Sequence, residues 1–429
     1  MLRSQDRTQV DWTADYRLYA QARFDEQKLF TRIRTEVENA CPSDRPLVVA
    51  MDDSLLRKTG RRIFGSGYRR DPLSPPFQVN FVRGLRVLQI SAAVPQGSSG
   101  AARMIPIDFQ HAALPAKPHL RAPQEQHEAY QIERRKRNIN LVGAQRLTCL
   151  RQQMDASGSS RRRLVATVDG RFTNSTLIQG TPQRIVLIGR VRKDSAFYYP
   201  PQEQPARGRK RKYGPRCPTP EQLLKDQGPW QTVQAYAAGK RYDFKIKTLA
   251  SVYSPMNQGK MPFRVIVIEP VAYRLNKHSK LERREPAFLI CTDPDMPLEE
   301  VLQAYLWRWD IEVNFRDEKT ILGVGQAQVR SEASNQNAPA LAVAAYSILL
   351  LASIKTYGQH GQPDTFKSPR WYKRNPQQRP ATNDLINHLR FELWASALNF
   401  NHFSLRSPSN QNAIKCPVPL ESAIFLSVK

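Results

Sequence analysis

Hydrophobic residues recur along the chain with two periods, and the switches between them predict its elements. The first 45 residues carry a helical period, in TADYRLYAQARFDEQKLFTRIRTEVENA, which Cys41-Pro42-Ser43-Asp44 breaks. PLVVAMDDS reads as a buried strand, an apolar run that delivers Asp52 at its C-terminal end. Asp53, one residue on, points to the opposite side of such a strand. FQVNFVRG and LRVLQISAAVP predict two strands joined by a tight turn at Arg83-Gly84, and IPIDFQ predicts a further short one. Residues 123–155 predict a long basic helix. Leu164 to Val168 is a second apolar run ending in an acid, Asp169. With a helix around Asn174 to Gln179 and the strand RIVLIGRV at 184–191, it makes a β–α–β run. RYDFKIKTL, FRVIVIEPVAYR and AFLICT give residues 201–290 a strand-rich character. Beyond residue 331 the chain reads as helical, with ALAVAAYSILLLASIK as core and Thr382 as N-cap of TNDLINHLRFELWASAL.

Between these regions lies PLEEVLQAYLWRWDIEVNFRDEKTILG, Pro297 to Gly323, which predicts one amphipathic helix. At about 100° per residue, Tyr305, Arg308, Glu312 and Lys319 fall within an arc of roughly 60°. Leu302, Leu306, Trp309 and Val313 flank this polar strip on one side, and Ala304, Ile311, Phe315 and Leu322 on the other. Gln303, Asp310, Asn314, Asp317 and Glu318 are expected on the outward face, as is Trp307. The strip reads either as a buried ion-pair ladder or as an acidic metal ligand beside phosphate-gripping cations.

Charge sharpens this choice. The chain of 429 residues carries 65 Lys and Arg against 38 Asp and Glu, a net charge of +27, which points to a polyanionic partner and first of all to nucleic acid. Five scattered cysteines with no C-x-x-C pair, and seven histidines without ligand spacing, argue against a zinc site or a disulfide framework. No apolar run reaches the ~18 residues of a membrane span, and the N-terminus has no signal-peptide core, so a cytoplasmic protein with no membrane partner is expected. GSGYRR, inside the basic loop 54–76, lacks the strand–turn–helix frame of a phosphate-binding glycine loop. PARGRKRKYGPR, with Arg209, Lys210, Arg211 and Lys212, reads as a solvated linker or as an arm that tracks a nucleic-acid backbone. KSPRWYKRNPQQRP at 367–380 is a further basic, aromatic loop.

Three carboxylates, two at strand ends and one on the polar strip, form the candidate catalytic and metal-binding group: Asp52, Asp169 and Glu312. Brought together they would repel unless a cation neutralised them. Mg²⁺ suits oxygen ligands that share the ion with waters and phosphate oxygens. Two such ions roughly 3.5–4 Å apart can activate an attacking oxygen and stabilise a leaving one, so two Mg²⁺ ions are expected, with Mn²⁺ as a substitute.

Tyr305, Arg308, Glu312 and Lys319 match the Y-x2-R-x3-E-x6-K signature of bacterial insertion-sequence transposases, and VVAMDDS and LVATVDGRF with IVLIGRV resemble that group's first and second aspartate regions. Over roughly residues 46–330 the chain therefore resembles the DDE superfamily of transposases. The resemblance implies an α/β fold: a ribonuclease-H-like mixed sheet flanked by helices, with a β-rich insertion and helical N- and C-terminal regions. The implied divisions are 1–45, a helical region; 46–200, the first part of the catalytic core; 201–290, the insertion; 291–330, the second part of the core; and 331–429, a helical region. It implies Mg²⁺-dependent phosphodiester hydrolysis at the ends of a mobile element, followed by strand transfer. Asp52, Asp169 and Glu312 would hold the ions. Tyr305, Arg308 and Lys319 would contact DNA, together with the 209–212 arm. An insertion tryptophan, Trp230 in this chain, would stack a flipped base. The implied partners are the terminal inverted repeats and the target DNA, bound by a homodimer at the nucleoid. The alternatives are a transposase-derived DNA-binding protein without catalysis, or another two-metal nuclease on the same fold.

Overall fold

The computed structural model describes residues 13–358 and 379–397, apart from 22, 72–73, 76, 98–99, 203–207, 209 and 275–278. Arg209 and all but the last two residues of the 367–380 loop lie outside these.

Two helices, α1 (Thr13–Ala20) and α2 (Glu26–Ala40), open the described chain. The Asp25 side chain caps α2, accepting from the Gln27 and Lys28 amides. The strands β1 (Leu47–Arg57), β2 (Gly67–Arg70), β3 (Phe81–Pro95) and β4 (Ala102–His111) follow, then α3 (Gln124–Lys136) and α4 (Ile139–Ala156). The long helix expected over 123–155 is thus two helices, because Asn138 leaves helical geometry and caps the second by accepting from the Asn140 amide. The run β5 (Leu164–Val168), α5 (Ser175–Gly180) and β6 (Ile185–Arg190) is the expected β–α–β unit. After α6 (Pro220–Lys225) come β7 (Gln231–Ala237), β8 (Lys240–Val252), β9 (Phe263–Ile268), the small pair β10 (Ala272–Tyr273) and β11 (Glu282–Arg283), and β12 (Ala287–Cys291). Helices α7 (Leu298–Trp307), α8 (Asp310–Thr320), α9 (Glu332–Tyr357) and α10 (Thr382–Ala397) complete the order.

Among the described residues, ten strands form one mixed sheet in the order β2-β3-β1-β5-β6-β12-β9-β8-β7, with β4 pairing β3. Only the β1–β5 and β5–β6 pairs are parallel, and the remaining pairs are antiparallel. Residues 201–290 are strand-rich, and their strands β7, β8 and β9 continue the same sheet beyond β12. Alternation along β1 divides the core in two. Leu47, Val49 and Met51 pack with Phe30, Ile33 and Val37 of α2, Leu147 of α4 and Val343 of α9. Val48 and Ala50 pack on the other face with Val301 and Leu302 of α7 and Ile311 and Phe315 of α8. Asp52 continues this second face. The apolar helix α9 lies against β4 and α2, as its composition predicted for a core helix.

Two strand readings need correction. β3 runs unbroken through Arg83-Gly84, where a tight turn was expected. Gly84 is paired on both sides, with Arg57 of β1 and Gly67 of β2, and a Cβ there would stand 2.5 Å from the Leu56 carbonyl oxygen. The glycine answers a close approach of backbones, not a turn. β1 likewise does not stop at Asp52 but extends to Arg57 along β3; what stops there is its pairing with β5.

Side chains close the open edges of this sheet. Along β4, the carbonyls of Ala102, Met104 and Pro106 accept from Arg379, Asn314 and Ser347 respectively, and the His111 amide donates to Gln336. Along β7, the Gln303 amide acts as a further ladder rung: Tyr236 N–H donates to its Oε1 at 2.7 Å, and its Nε2 donates to the Tyr236 carbonyl at 3.1 Å. Gln303 is only 3% exposed, so both backbone groups depend on it. Replacing Gln303 with Leu, which keeps the volume and removes both bonds, is expected to cost about 1–3 kcal/mol. Thermal unfolding checks this, and an unchanged midpoint would mean that water satisfies the β7 edge.

Candidate active site

Parallel pairing of β1 with β5 ends at Met51 and Val168, so the next residues, Asp52 and Asp169, emerge side by side. Asp169 opens the loop into α5, and its Oδ1 accepts from the Arg171 and Phe172 amides at 2.9 and 3.0 Å, which fixes the carboxylate at the end of β5. Asp52 Oδ1 accepts from the Asp53 amide at 2.8 Å. Burial, then the Asp169 carboxylate, push the Asp52 carboxyl up to about 7. The Arg308 guanidinium, 3.6 Å from Asp52 Oδ2, opposes that rise.

Arg308 reaches Asp52 because the expected single helix breaks there. The amides of Arg308 and Trp309 bond three residues back, to Tyr305 and Leu306, and those of Ile311 and Glu312 bond back to Arg308 and Trp309. This tight turn between α7 and α8 advances the chain faster around the axis than an α-helix does. Glu312 follows in the first turn of α8. Its carboxyl is raised by burial and by Asp169 and lowered by Arg308, so both strand-borne acids and the helical one meet in a shared field. Further along α8, the Lys319 Nζ donates to Ser54 Oγ at 2.6 Å, two residues beyond Asp52 on the same strand face. Burial lowers the Lys319 pKa. The Tyr305 ring lies 5.5 Å below the Arg308 guanidinium. All four residues of the polar strip therefore stand on the face of β1 that carries Asp52.

The other side of the helical expectation is overturned. Gln303, Asn314, Asp317 and Glu318, placed outward by a uniform helical period, are each no more than 3% exposed. Gln303 and Asn314 cap sheet edges, and Asp317 accepts from Thr382 Oγ1 at 2.6 Å and Tyr346 OH at 3.4 Å. Thr382, expected as the N-cap, is instead the first residue within α10. Glu318 is enclosed beside Gln89, and burial pushes its carboxyl up to about 8. Trp307, expected outward, is half-buried and donates its indole N–H to the Gly100 carbonyl. Trp309, expected as a buried shoulder, is 62% exposed at the break itself.

Asp53 faces away from the three acids, as alternation predicts. It accepts two bonds from Arg86, at 2.8 and 3.0 Å, and pairs with Arg171 at 3.5 Å. Trp230 is half-buried under the Lys247 ammonium, 4.6 Å from its ring centroid. Lys247 lies on β8, five strand spacings or roughly 24 Å across the sheet from β1, so the tryptophan stands apart from the acids. Lys210, Arg211 and Lys212 are exposed on the loop that precedes Arg216, which bridges to Tyr198. Beside Asp169, a cleft of about 1110 Å³ opens at Gly170 and runs past Arg190, Arg192 and Lys193.

Residues 9–251 match the family described as DDE superfamily endonuclease. The match takes in Asp52 and Asp169 and covers more than half of the 429 residues. The chain belongs to this family. No curated protein matches it. The large mixed sheet flanked by helices is the ribonuclease-H-like architecture of such enzymes, which are nucleases that act on DNA with divalent metal ions. The donor set fits such ions in its chemistry: hard carboxylate oxygens, mutually repelling, with Asp52 driven towards protonation by burial and by the Asp169 carboxylate. Among the described residues no group of three acid, histidine or cysteine side chains has closed into a ready metal cluster.

The raised Asp52 carboxyl has a consequence for stability. A carboxyl that binds its proton more tightly in the folded chain stabilises the fold below its unfolded value, near 3.8, and loses that contribution as pH rises to about 7. Without added metal, the Asp52→Asn variant is therefore expected to gain stability relative to the parent across this window and to differ little below it. Thermal midpoints at acid and neutral pH measure the difference; a constant offset would show that Asp52 titrates normally.

Proposed function

We propose that the protein is a DNA transposase that cleaves phosphodiesters at the ends of a mobile element and joins the freed 3′-OH to target DNA. The observation that carries this reading is the meeting of Asp52, Asp169 and Glu312, from two strands and a helix, on one sheet face beside Arg308 and Lys319. The three acids would hold two divalent ions, Mg²⁺ or Mn²⁺, which supply Lewis acidity for water activation and for the departing oxygen.

The remaining work falls to the chain's own side chains. Arg308, now paired with Asp52, is positioned to turn its guanidinium to a phosphate once ions neutralise that acid. Tyr305 supports its plane from below. Lys319, held on Ser54, presents a second cation farther along the same face. Trp309, exposed between Arg308 and Glu312, offers a ring to a base unstacked near the cut. Two protomers would pair the two ends of the element.

Glu312→Gln, which keeps size and removes the charge, is expected to lower metal-dependent cleavage of cognate ends by on the order of 100-fold or more while sparing DNA binding. Full cleavage by this variant would remove Glu312 from the mechanism. A joined product with target DNA separates a transposase from a simple nuclease, which releases cleaved ends alone. Neutralising Arg209, Lys210, Arg211 and Lys212 is expected to flatten the plot of log affinity against log salt by about 0.9 for each phosphate that these side chains neutralise in the parent. An unchanged slope would make that arm a solvated linker.

A further inference from the structure

The strand pair β2–β3 forms one edge of the catalytic sheet, and its outer end exposes aromatic rings that the acid site does not use. Phe77 is 90% exposed, Tyr68 66% and Phe81 64%, with Val79 between them at 51%. Folded chains rarely leave so many large apolar groups together in water without a partner to cover them. The surrounding charge is one-sided. Residues 57–86 hold eight Lys and Arg and a single acid, Asp71, which is paired to Arg57. Arg61, Arg62 and Arg70 are exposed beside the rings. Arg83 is committed to the scaffold: it donates to the carbonyls of Gly60 and Arg61 and to Ser66, and lies 5.8 Å over the Tyr68 ring, holding that ring in place.

Register relates this surface to the acids. β3 pairs Gln89 with Asp52, Arg83 with Tyr68 and Phe81 with Arg70. Alternation puts Tyr68, Arg70, Phe81 and Arg83 on the sheet face of Asp52, about 20–26 Å along β3. We propose that the outer end of β2–β3 is a platform for single-stranded nucleic acid, on which Tyr68, Phe77 and Phe81 stack unpaired bases while Arg61, Arg62 and Arg70 take the backbone charge. A second copy of the chain is a poor occupant, since a two-fold contact would set the same cations against each other. Duplex DNA is a poor one for the rings, because its base faces are already stacked. Unpaired bases beside basic charge match both features. This assignment rests on nucleic acid being the substrate and adds the strand state that it recognises away from the acids.

The test uses the full chain, a short fluorescent oligonucleotide and the duplex of the same sequence. In the variant Tyr68→Ala/Phe77→Ala/Phe81→Ala, single-strand affinity is expected to fall at least about fivefold for each ring that stacks a base. Duplex affinity should stay within about twofold, and the salt slope should not change. Arg61→Gln/Arg62→Gln/Arg70→Gln should flatten the single-strand salt slope instead. The rings are exposed, so thermal midpoints of the aromatic variant should match the parent, and aromatic exchange (Tyr68→Phe, Phe77→Tyr, Phe81→Tyr) should retain binding. Parental single-strand affinity in the alanine variant would overturn the platform, as would loss of a dimer in sedimentation with binding intact. If the parent chain binds duplex and cleaves it while the alanine variant behaves identically, only the platform fails. If the parent binds neither form, the transposase reading falls with it.

Discussion

Two like charges set side by side are the constraint from which the rest of this site follows. Parallel pairing of β1 and β5 leaves Asp52 and Asp169 adjacent, and burial first, then the Asp169 carboxylate, drive the Asp52 carboxyl up to about 7. A fold pursuing stability alone would not keep that pair. Arg308 offsets part of the repulsion from 3.6 Å, and Glu312 adds a third acid instead of a second cation. The arrangement is short of positive charge where metal ions and a phosphate would meet. Asp53, the next residue, shows the contrasting solution: two bonds from Arg86 and a pairing with Arg171 neutralise it fully.

Holding α7 and α8 over this pair is the task of the sheet edges. Asn314 of α8 and Ser347 of α9 are bonded to β4 carbonyls, and Gln303 of α7 is bonded to both backbone groups of Tyr236 on β7. Each bond fixes the helices laterally, at positions where apolar packing alone would let them slide. The tight turn between α7 and α8 then sets the phase of Arg308 and Glu312 independently of the helix ends. Buried polar residues here position the helices over the acids as well as satisfying backbone groups.

Positive charge is distributed around the site in separate patches: the loop at 210–216 and the outer end of β2–β3. Their separation suits an extended polyanion better than a small ligand. The aromatic rings are likewise dispersed, with Trp309 at the helix break and Tyr68, Phe77 and Phe81 at the sheet edge.

Much of this was legible in the order of residues. Apolar runs ending in Asp52 and Asp169 announced two strands and the acids at their pairing limit, because a buried parallel strand must be apolar until it meets solvent or a site. The four-residue polar strip likewise announced which residues of α7, α8 and the turn between them face β1. Other features required the folded chain. Gly84 reads as a turn in isolation and is a point of close backbone approach in the sheet, since only neighbouring strands reveal the missing space. Asn314, Asp317 and Glu318 read as solvent-facing and are buried, because their partners come from β4, α9, α10 and β3. Trp309 reads as core and is exposed, because a helix break cannot be seen in a hydrophobic period. Local sequence determined the elements and the acids they carry, through short-range sterics and burial. Tertiary structure alone decided strand order, helix phase and the fate of each polar side chain, because those depend on groups far apart in the chain.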